Sequence, residues 1–387
     1  MGHSDEQVRS LYVHVPFCAR KCDYCAFYSE RASGDTMDRY VAALLLELDM
    51  LGPAERPGSV YFGGGTPTLL NLRQWERILS AMDQSGWAEA AEWTVECNPA
   101  TLSLDKARLL RSAGVNRISL GVQSLDEALL DRLGRVHSRA MVFQSFDQLR
   151  QAGFDNVNVD LMFAIPGQTL EVWRRTLAEA LALGSEHLSS YEVIYEDDTP
   201  LFAQLEAGQF AVDEDLACDM FEALLEAATQ RGFRQYEIAN FARHRGADAP
   251  AVPDLACLHN LNYWRGGSFH GLGPSATGYV GGVRTRNWAN TTLYCEQLER
   301  GRRPCESKEH LSPLARAGET AAFGLRMNAG WPFVEFQRVT GHDLRGEWGA
   351  DMRALEAQGL GRINPEGFAL TDRGLRFADL AAQAFLR

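Results

Sequence analysis

Six short runs rich in β-branched and aromatic residues recur through the first half of the chain: LYVHV (11–15), SVYFG (59–63), EWTVE (92–96), RISLGV (117–122), NVNVDL (156–161) and HLSSYEV (187–193). Between them lie segments with helical periodicity, such as 36–51, 102–114 and 169–184. Strand, helix, strand in repeated succession requires crossover connections, which make the strands parallel and set helices on the sheet faces. Six units are too few for a closed eightfold barrel. The expected fold is therefore α/β, a partial (β/α)6 TIM-like barrel over residues 1–231, with a flat doubly wound sheet as the rival. Residues 232–310 are rich in Gly, Asn and aromatics and read as an extension over the barrel. Residues 311–387 return to helices and then LGRINPEGFALTDRGL (360–375), the outline of a hairpin wing and thus of a C-terminal winged-helix-like domain.

Barrels of this kind act at the carboxyl ends of their strands. Directly after the first run comes CARKCDYC, which spaces Cys18, Cys22 and Cys25 as C-x3-C-x2-C. Three thiolates are one short of a closed tetrahedral zinc site or a fully ligated cubane. With no fourth Cys or His adjacent, an iron–sulfur cluster with one open iron is favoured over structural zinc. The other five cysteines are scattered and the N-terminal MGHSDEQVRS lacks an apolar core, which suits a reducing cytoplasmic setting. A net charge of −13 argues against phosphate-neutralising contacts, so no nucleic acid partner is expected. The tail is neutral too, with nine Lys/Arg and nine Asp/Glu from residue 311 onward. No apolar run is long enough to span a membrane.

Later strand ends carry further polar groups: Gly64, Gly65 and Thr66 in YFGGGTPT, Glu96 and Asn98 in ECNP, Gln123 in SLGVQS, Arg135 in LGRVHS, and Asp160 before LMFAIPGQT. Singly, a glycine run is more often a tight turn and a lone carboxylate a helix cap. Together they gain weight, because a barrel makes those ends converge. LHNLNYW (258–264) sets His259 among aromatics, ordinarily the mark of a satisfied structural histidine. GLGPSA (271–276) imitates a dinucleotide fingerprint but lacks its βαβ setting and reads as a tight loop. His14 and His137 receive no role.

The cysteine loop, with the aromatic Tyr24 before its last Cys, resembles the signature of the radical S-adenosylmethionine (SAM) superfamily. The resemblance implies a [4Fe–4S] cluster on Cys18, Cys22 and Cys25, and SAM chelating the open iron. It also implies electron transfer that cleaves SAM to methionine and a 5′-deoxyadenosyl radical. The ordered motifs GGGTP, ECNP, SLGVQS, LGRVHS and DLMFAIPGQT are similar to the coproporphyrinogen III dehydrogenase subgroup over nearly the whole chain. Carried over, Tyr12, Tyr24, Gly64, Gly65, Thr66, Glu96, Gln123, Arg135 and Asp160 bind SAM, with Arg135 suited to its carboxylate. Two features depart from the dehydrogenase: Phe27 stands where it has a further Cys, and only 17 residues precede Cys18, too few for its N-terminal arm. The H-N-x-x-Y-W signature resembles instead the HemW branch of heme chaperones. That implies heme as a third cofactor, contacted by His259 with Cys257 or His270 as competing ligands, and heme-accepting proteins as partners. It implies little or no dehydrogenase turnover, a small reductant protein such as ferredoxin or flavodoxin, and leaves room for peripheral membrane association and a homodimer. Oxygen-independent coproporphyrinogen III dehydrogenation is the alternative function.

Overall fold

The computed structural model of the chain describes residues 8–248 and 250–387, so residues 1–7 of the polar lead-in lie outside it. Strands β1 (Ser10–Val15), β2 (Ser59–Gly64), β3 (Glu92–Cys97), β4 (Arg117–Gln123), β5 (Val157–Phe163) and β6 (His187–Glu192) pair in parallel in that order. In the connections run α1 (Gly34–Asp49), α2 (Leu72–Gln84), α3 (Leu104–Ser112), α4 (Glu127–Arg132), α5 (Arg139–Gln151) and α6 (Leu170–Ala182). Their starts are written locally. Asn71 and Gln74 form a reciprocal capping box, and the side chains of Ser103, Asp126, Ser138 and Thr169 accept from first-turn amides.

The sheet continues past both ends of this parallel run. β7 (Arg234–Glu237) and β8 (Asn240–Ala242) form a hairpin, and β8 pairs antiparallel with β6. On the opposite edge β9 (Phe269–Leu272) joins β1 in parallel. β10 (Thr277–Val280), β11 (Val283–Asn287) and β12 (Cys305–His310) follow in antiparallel order. The result is one twelve-stranded mixed sheet, β12-β11-β10-β9-β1-β2-β3-β4-β5-β6-β8-β7, whose two edges do not meet. Residues 232–310 thus widen the sheet at both edges, where the sequence suggested loops over it. Their strands are short and lean on Gly, Thr and Arg rather than apolar alternation, so they carry little periodic signal.

Period two divides each central strand between two surroundings. Leu11, Val13, Val15, Val60, Phe62, Trp93, Val95, Ile118, Leu120, Val157 and Val159 pack under the helices in the main core. The alternate residues meet inside the half-barrel and are polar. Asn158 donates to Ser119 and Asp160, and its Oδ1 lies within hydrogen-bond reach of His187 and Ser189. The Arg117 guanidinium donates to Thr94. Barrel interiors are usually filled with branched apolar side chains; a polar interior held by its own hydrogen bonds leaves room and chemistry for a ligand.

The C-terminal part packs helices Pro313–Gly324, Phe333–Thr340 and Leu344–Ala357 against β13 (Trp331–Pro332), β14 (Gly361–Ile363) and β15 (Gly367–Leu370). This is a winged-helix-like arrangement with its own core around Trp331, Phe336, Trp348 and Phe385. Arg265 Nη1 donates to Gly330 O at 2.7 Å and Asn328 N to Tyr236 O at 3.0 Å, tying it to the barrel. Among the described residues no helix is long and apolar enough to cross a membrane.

Candidate functional site

The cysteine loop leaves the carboxyl end of β1 and returns to it. Phe17–Cys18 pairs in parallel with Glu30–Arg31, which clamps both ends of the intervening loop. Cys18, Cys22 and Cys25 are half-buried free thiols on the wall of one cavity of about 460 Å³. Cys18 Sγ lies 3.8 Å from Thr66 Oγ1, and Arg135 Nη1 donates to Cys22 Sγ at 3.5 Å. Burial pushes the Cys18 and Cys25 thiols up, and the other two sulfurs add to the rise at Cys25, against the pull of Lys21. Three thiolates gathered this closely repel one another until a cationic centre joins them. No group of three His, Cys, Asp or Glu side chains among the described residues converges on a single-ion site. A cubane asks less of the loop, since each thiolate takes its own iron. The donor set fits a cluster better than a zinc ion.

The glycine run after β2 is both a tight turn and part of the wall. Gly64 has φ +105°, and a Cβ there would overlap the His14 ring; a Cβ on Gly65 would stand 2.7 Å from Phe17 O. Without side chains the run crosses β1 closely enough for Gly65 N to donate to Val15 O (2.8 Å) and Thr66 N to Phe17 O (2.7 Å). That crossing brings the Thr66 hydroxyl to Cys18.

Glu96 accepts from Tyr61 Oη (2.9 Å) and Gly64 N (3.1 Å), and burial pushes its carboxyl up to about 7. Asp160 accepts from Ser119 Oγ (3.0 Å) and Asn158 Nδ2 (2.7 Å); burial raises it also, opposed by those bonds and by Arg117. Gln123 follows a bulge in β4 and sits at φ +63°, a left-handed conformation that costs a non-glycine residue energy and redirects its side chain at the strand end. Arg135 donates a second bond to Gly121 O (2.7 Å), while its buried Nε has no partner in the protein.

Cys18, Cys22, Tyr24, Cys25, Gly64, Gly65, Thr66, Glu96, Gln123, Arg135 and Asp160 therefore share one wall. Tyr12 does not join them. Its hydroxyl lies 3.0 Å from His14 Nδ1 and its ring stacks on Tyr61 at 6.2 Å, beneath the cavity. Asn98 touches the cavity, but its side chain caps the short turn Pro99–Thr101. Tyr61, Ser119 and Tyr191 line the cavity and went unread in the sequence, where they were simply the alternate residues of strands.

His259 lies elsewhere. LHNLNYW forms a short helix, Leu258–Trp264, that plugs the floor of the half-barrel. The Glu92 carboxylate accepts from Leu258 N (3.0 Å) and His259 N (3.1 Å), fastening the start of that helix to β3. The His259 ring is 1% exposed and both nitrogens are engaged, Nδ1 with Ser59 Oγ at 2.9 Å and Nε2 with Tyr263 Oη at 2.7 Å. It stacks under Tyr61 at 5.2 Å, and burial lowers its pKa to about 3. At His259, expected to contact heme, the structure shows a histidine satisfied by its neighbours. Cys257 is buried against Glu92, and His270 faces Trp87 at the barrel's outer side.

Comparison with known proteins gives the family. The Radical SAM superfamily profile matches residues 12–180 and that of the HemN C-terminal domain matches residues 311–377. The chain is 32% identical to the heme chaperone HemW of Bacillus subtilis over 98% of its own length and 99% of the relative's. It is 31% identical to HemW of Mycobacterium tuberculosis (97% and 94%). With the mitochondrial radical S-adenosyl methionine domain-containing protein 1 of Danio rerio it shares 34% identity (95% and 83%). Among solved structures, coproporphyrinogen III oxidase (HemN) from Escherichia coli superposes with a TM-score of 0.84 over 99% of this chain and 91% of that one, at 22% identity, a likeness of fold.

Proposed function

Because the chain belongs to the radical SAM superfamily, in the family of the HemW proteins, we propose that it binds heme and transfers it to acceptor hemoproteins. In this reading Cys18, Cys22 and Cys25 hold a [4Fe–4S] cluster, and SAM occupies the adjoining cavity. When bound, the two together supply one-electron chemistry drawn from a small reductant protein. The protein's own work is positional. Arg135 offers its guanidinium to a carboxylate beside Cys22, Glu96 and Asp160 offer carboxylates to an amine or to ribose hydroxyls, and the Gly64–Gly65 crossing lets backbone approach the ligand. The setting is the cytoplasm, and the partners are heme-accepting proteins.

The observation that carries the chaperone reading is full-length likeness to proteins named heme chaperones, joined to Phe27 at the place where the dehydrogenase pattern has a further Cys. The test is paired. The anaerobically reconstituted protein should bind heme, followed by its Soret band, and pass it to an apo-hemoprotein. The same preparation, given coproporphyrinogen III, SAM and a reductant, should yield no protoporphyrinogen IX. Product formation without heme transfer would replace this reading with the dehydrogenase one.

A further inference from the structure

Large apolar side chains left exposed in a group mark a binding surface. Phe27 is 69% exposed and Ile194 67%, with Val136 and Tyr191 each 43%; all four line the mouth of the cavity that holds the three cysteines. Ile194 comes from the loop after β6, Val136 from the link between α4 and α5, Phe27 from the cysteine loop itself and Tyr191 from β6, all at the carboxyl ends of the strands, so the barrel geometry brings them to a common opening. Phe27 also lines a second, more open cleft of about 530 Å³, between the cysteine loop and β10–β11. Lys21 and Arg286 share that cleft with Asp198, and no ion pair among the described residues holds either cation. Both spaces fall within the roughly 300–1,000 Å³ of small-molecule sites, and Phe27 stands at their join.

We propose that this lip is the heme site: the macrocycle stacks on Phe27 and against Val136, Tyr191 and Ile194 across the cavity mouth, with its propionates directed into the cleft toward Lys21 and Arg286. The proposal rests on the heme-binding reading and goes further by giving the site. A porphyrin is a flat apolar disc with carboxylates along one edge, and the lip offers an apolar shelf with cations to one side. The carboxylates Glu96, Asp160, Glu192 and Glu196 outnumber the cations Arg20, Lys21 and Arg135 on the cavity wall, while in the cleft Lys21 and Arg286 outnumber Asp198. That asymmetry sets which way the carboxylate edge faces. A shelf of this kind explains why an aromatic ring, costly to leave in water, occupies position 27 of a loop otherwise given to ligation.

The test titrates heme into the anaerobically reconstituted full chain. Replacing Phe27→Ser together with Ile194→Ser should weaken heme binding at least tenfold, with iron content and SAM affinity unchanged. Val334→Ser, on the C-terminal helix Phe333–Thr340 and 82% exposed, should change nothing. Arg286→Glu should weaken heme several-fold yet leave heme dimethyl ester, which lacks carboxylates, unaffected. Should the double variant lose iron, Ile194→Ser alone decides, with at least threefold weaker binding expected. Wild-type heme affinity in these variants overturns the site and leaves the chaperone reading standing. Unchanged binding with lost delivery to an apo-hemoprotein also overturns it, making the lip a protein-docking face. A wild-type protein that takes up no heme overturns the reading beneath it.

Discussion

Arg135 Nη1 donates to the Cys22 sulfur at 3.5 Å while Nη2 donates to Gly121 O at 2.7 Å, so one guanidinium spans the cysteine loop and the end of β4. Its Nε remains buried without a partner. If Cys22 ligates iron as proposed, a cation this close to its sulfur stabilises added negative charge on the cluster. Arg135→Met should therefore shift the cluster midpoint potential to more negative values and weaken SAM binding by about tenfold, read by potentiometry and by SAM titration. Lysine, with one point charge instead of a fork, should restore the potential better than the affinity.

Iron content tests the loop itself. Reconstituted wild-type protein should carry about four irons per chain, as one cubane requires. Cys22→Ala should lose nearly all of it, because two thiolates cannot hold the cluster. Stoichiometric zinc in that variant, by metal analysis, would refute the cluster assignment.

Glu96 predicts a pH dependence. Its folded pKa, about 7, lies above the ordinary carboxylate value, so its share of stability is complete in acid and is lost as pH rises through 7. A cationic ligand reverses the preference, favouring the ionised carboxylate. SAM affinity should therefore increase as pH climbs through about 7 and then level off, and Glu96→Gln should flatten that profile. Isothermal titration across pH 6 to 8.5 checks it, about one to two units either side of the inflection.

His259→Ala separates a floor residue from a heme contact. The substitution leaves Tyr263 and Ser59 short of a buried partner and hollows the space under Tyr61. It should cost about 2–4 kcal/mol, seen as a lower unfolding temperature. The Soret band of the heme-loaded variant, measured below that transition, should match wild type.

How far the sequence was legible depended on where each residue drew its signal. The six parallel strands announced themselves because apolar residues under the helices alternate with others, as in Leu11, Val13 and Val15. The cysteine spacing and the strand-end groups were readable for a related reason, since an α/β barrel gathers successive carboxyl ends. Depth along a strand was not readable. Tyr12 stands three residues, about 10 Å, before the end of β1 with its hydroxyl turned to His14, whereas Tyr61, its partner in register on β2, reaches up to Glu96 and the cavity. Arg117, 2% exposed at the start of β4, carried no signal in the sequence, although it supplies the cation that faces Glu92, Glu96 and Asp160 in the interior. His259 raised the opposite problem. Its motif resembled a heme signature, whereas its partners, Ser59 and Tyr263, are visible only once the helix Leu258–Trp264 is seen seated on β2 and β3.

That plug arrives late in synthesis. A ribosome releases the cysteine loop first and the helix that closes the barrel floor only after the six strands β1 to β6 have emerged. Until then the Glu92 carboxylate lacks the amides of Leu258 and His259, and Ser59 lacks the His259 ring. A fragment stopped before Leu258 should consequently solubilise poorly, however complete its cysteine loop.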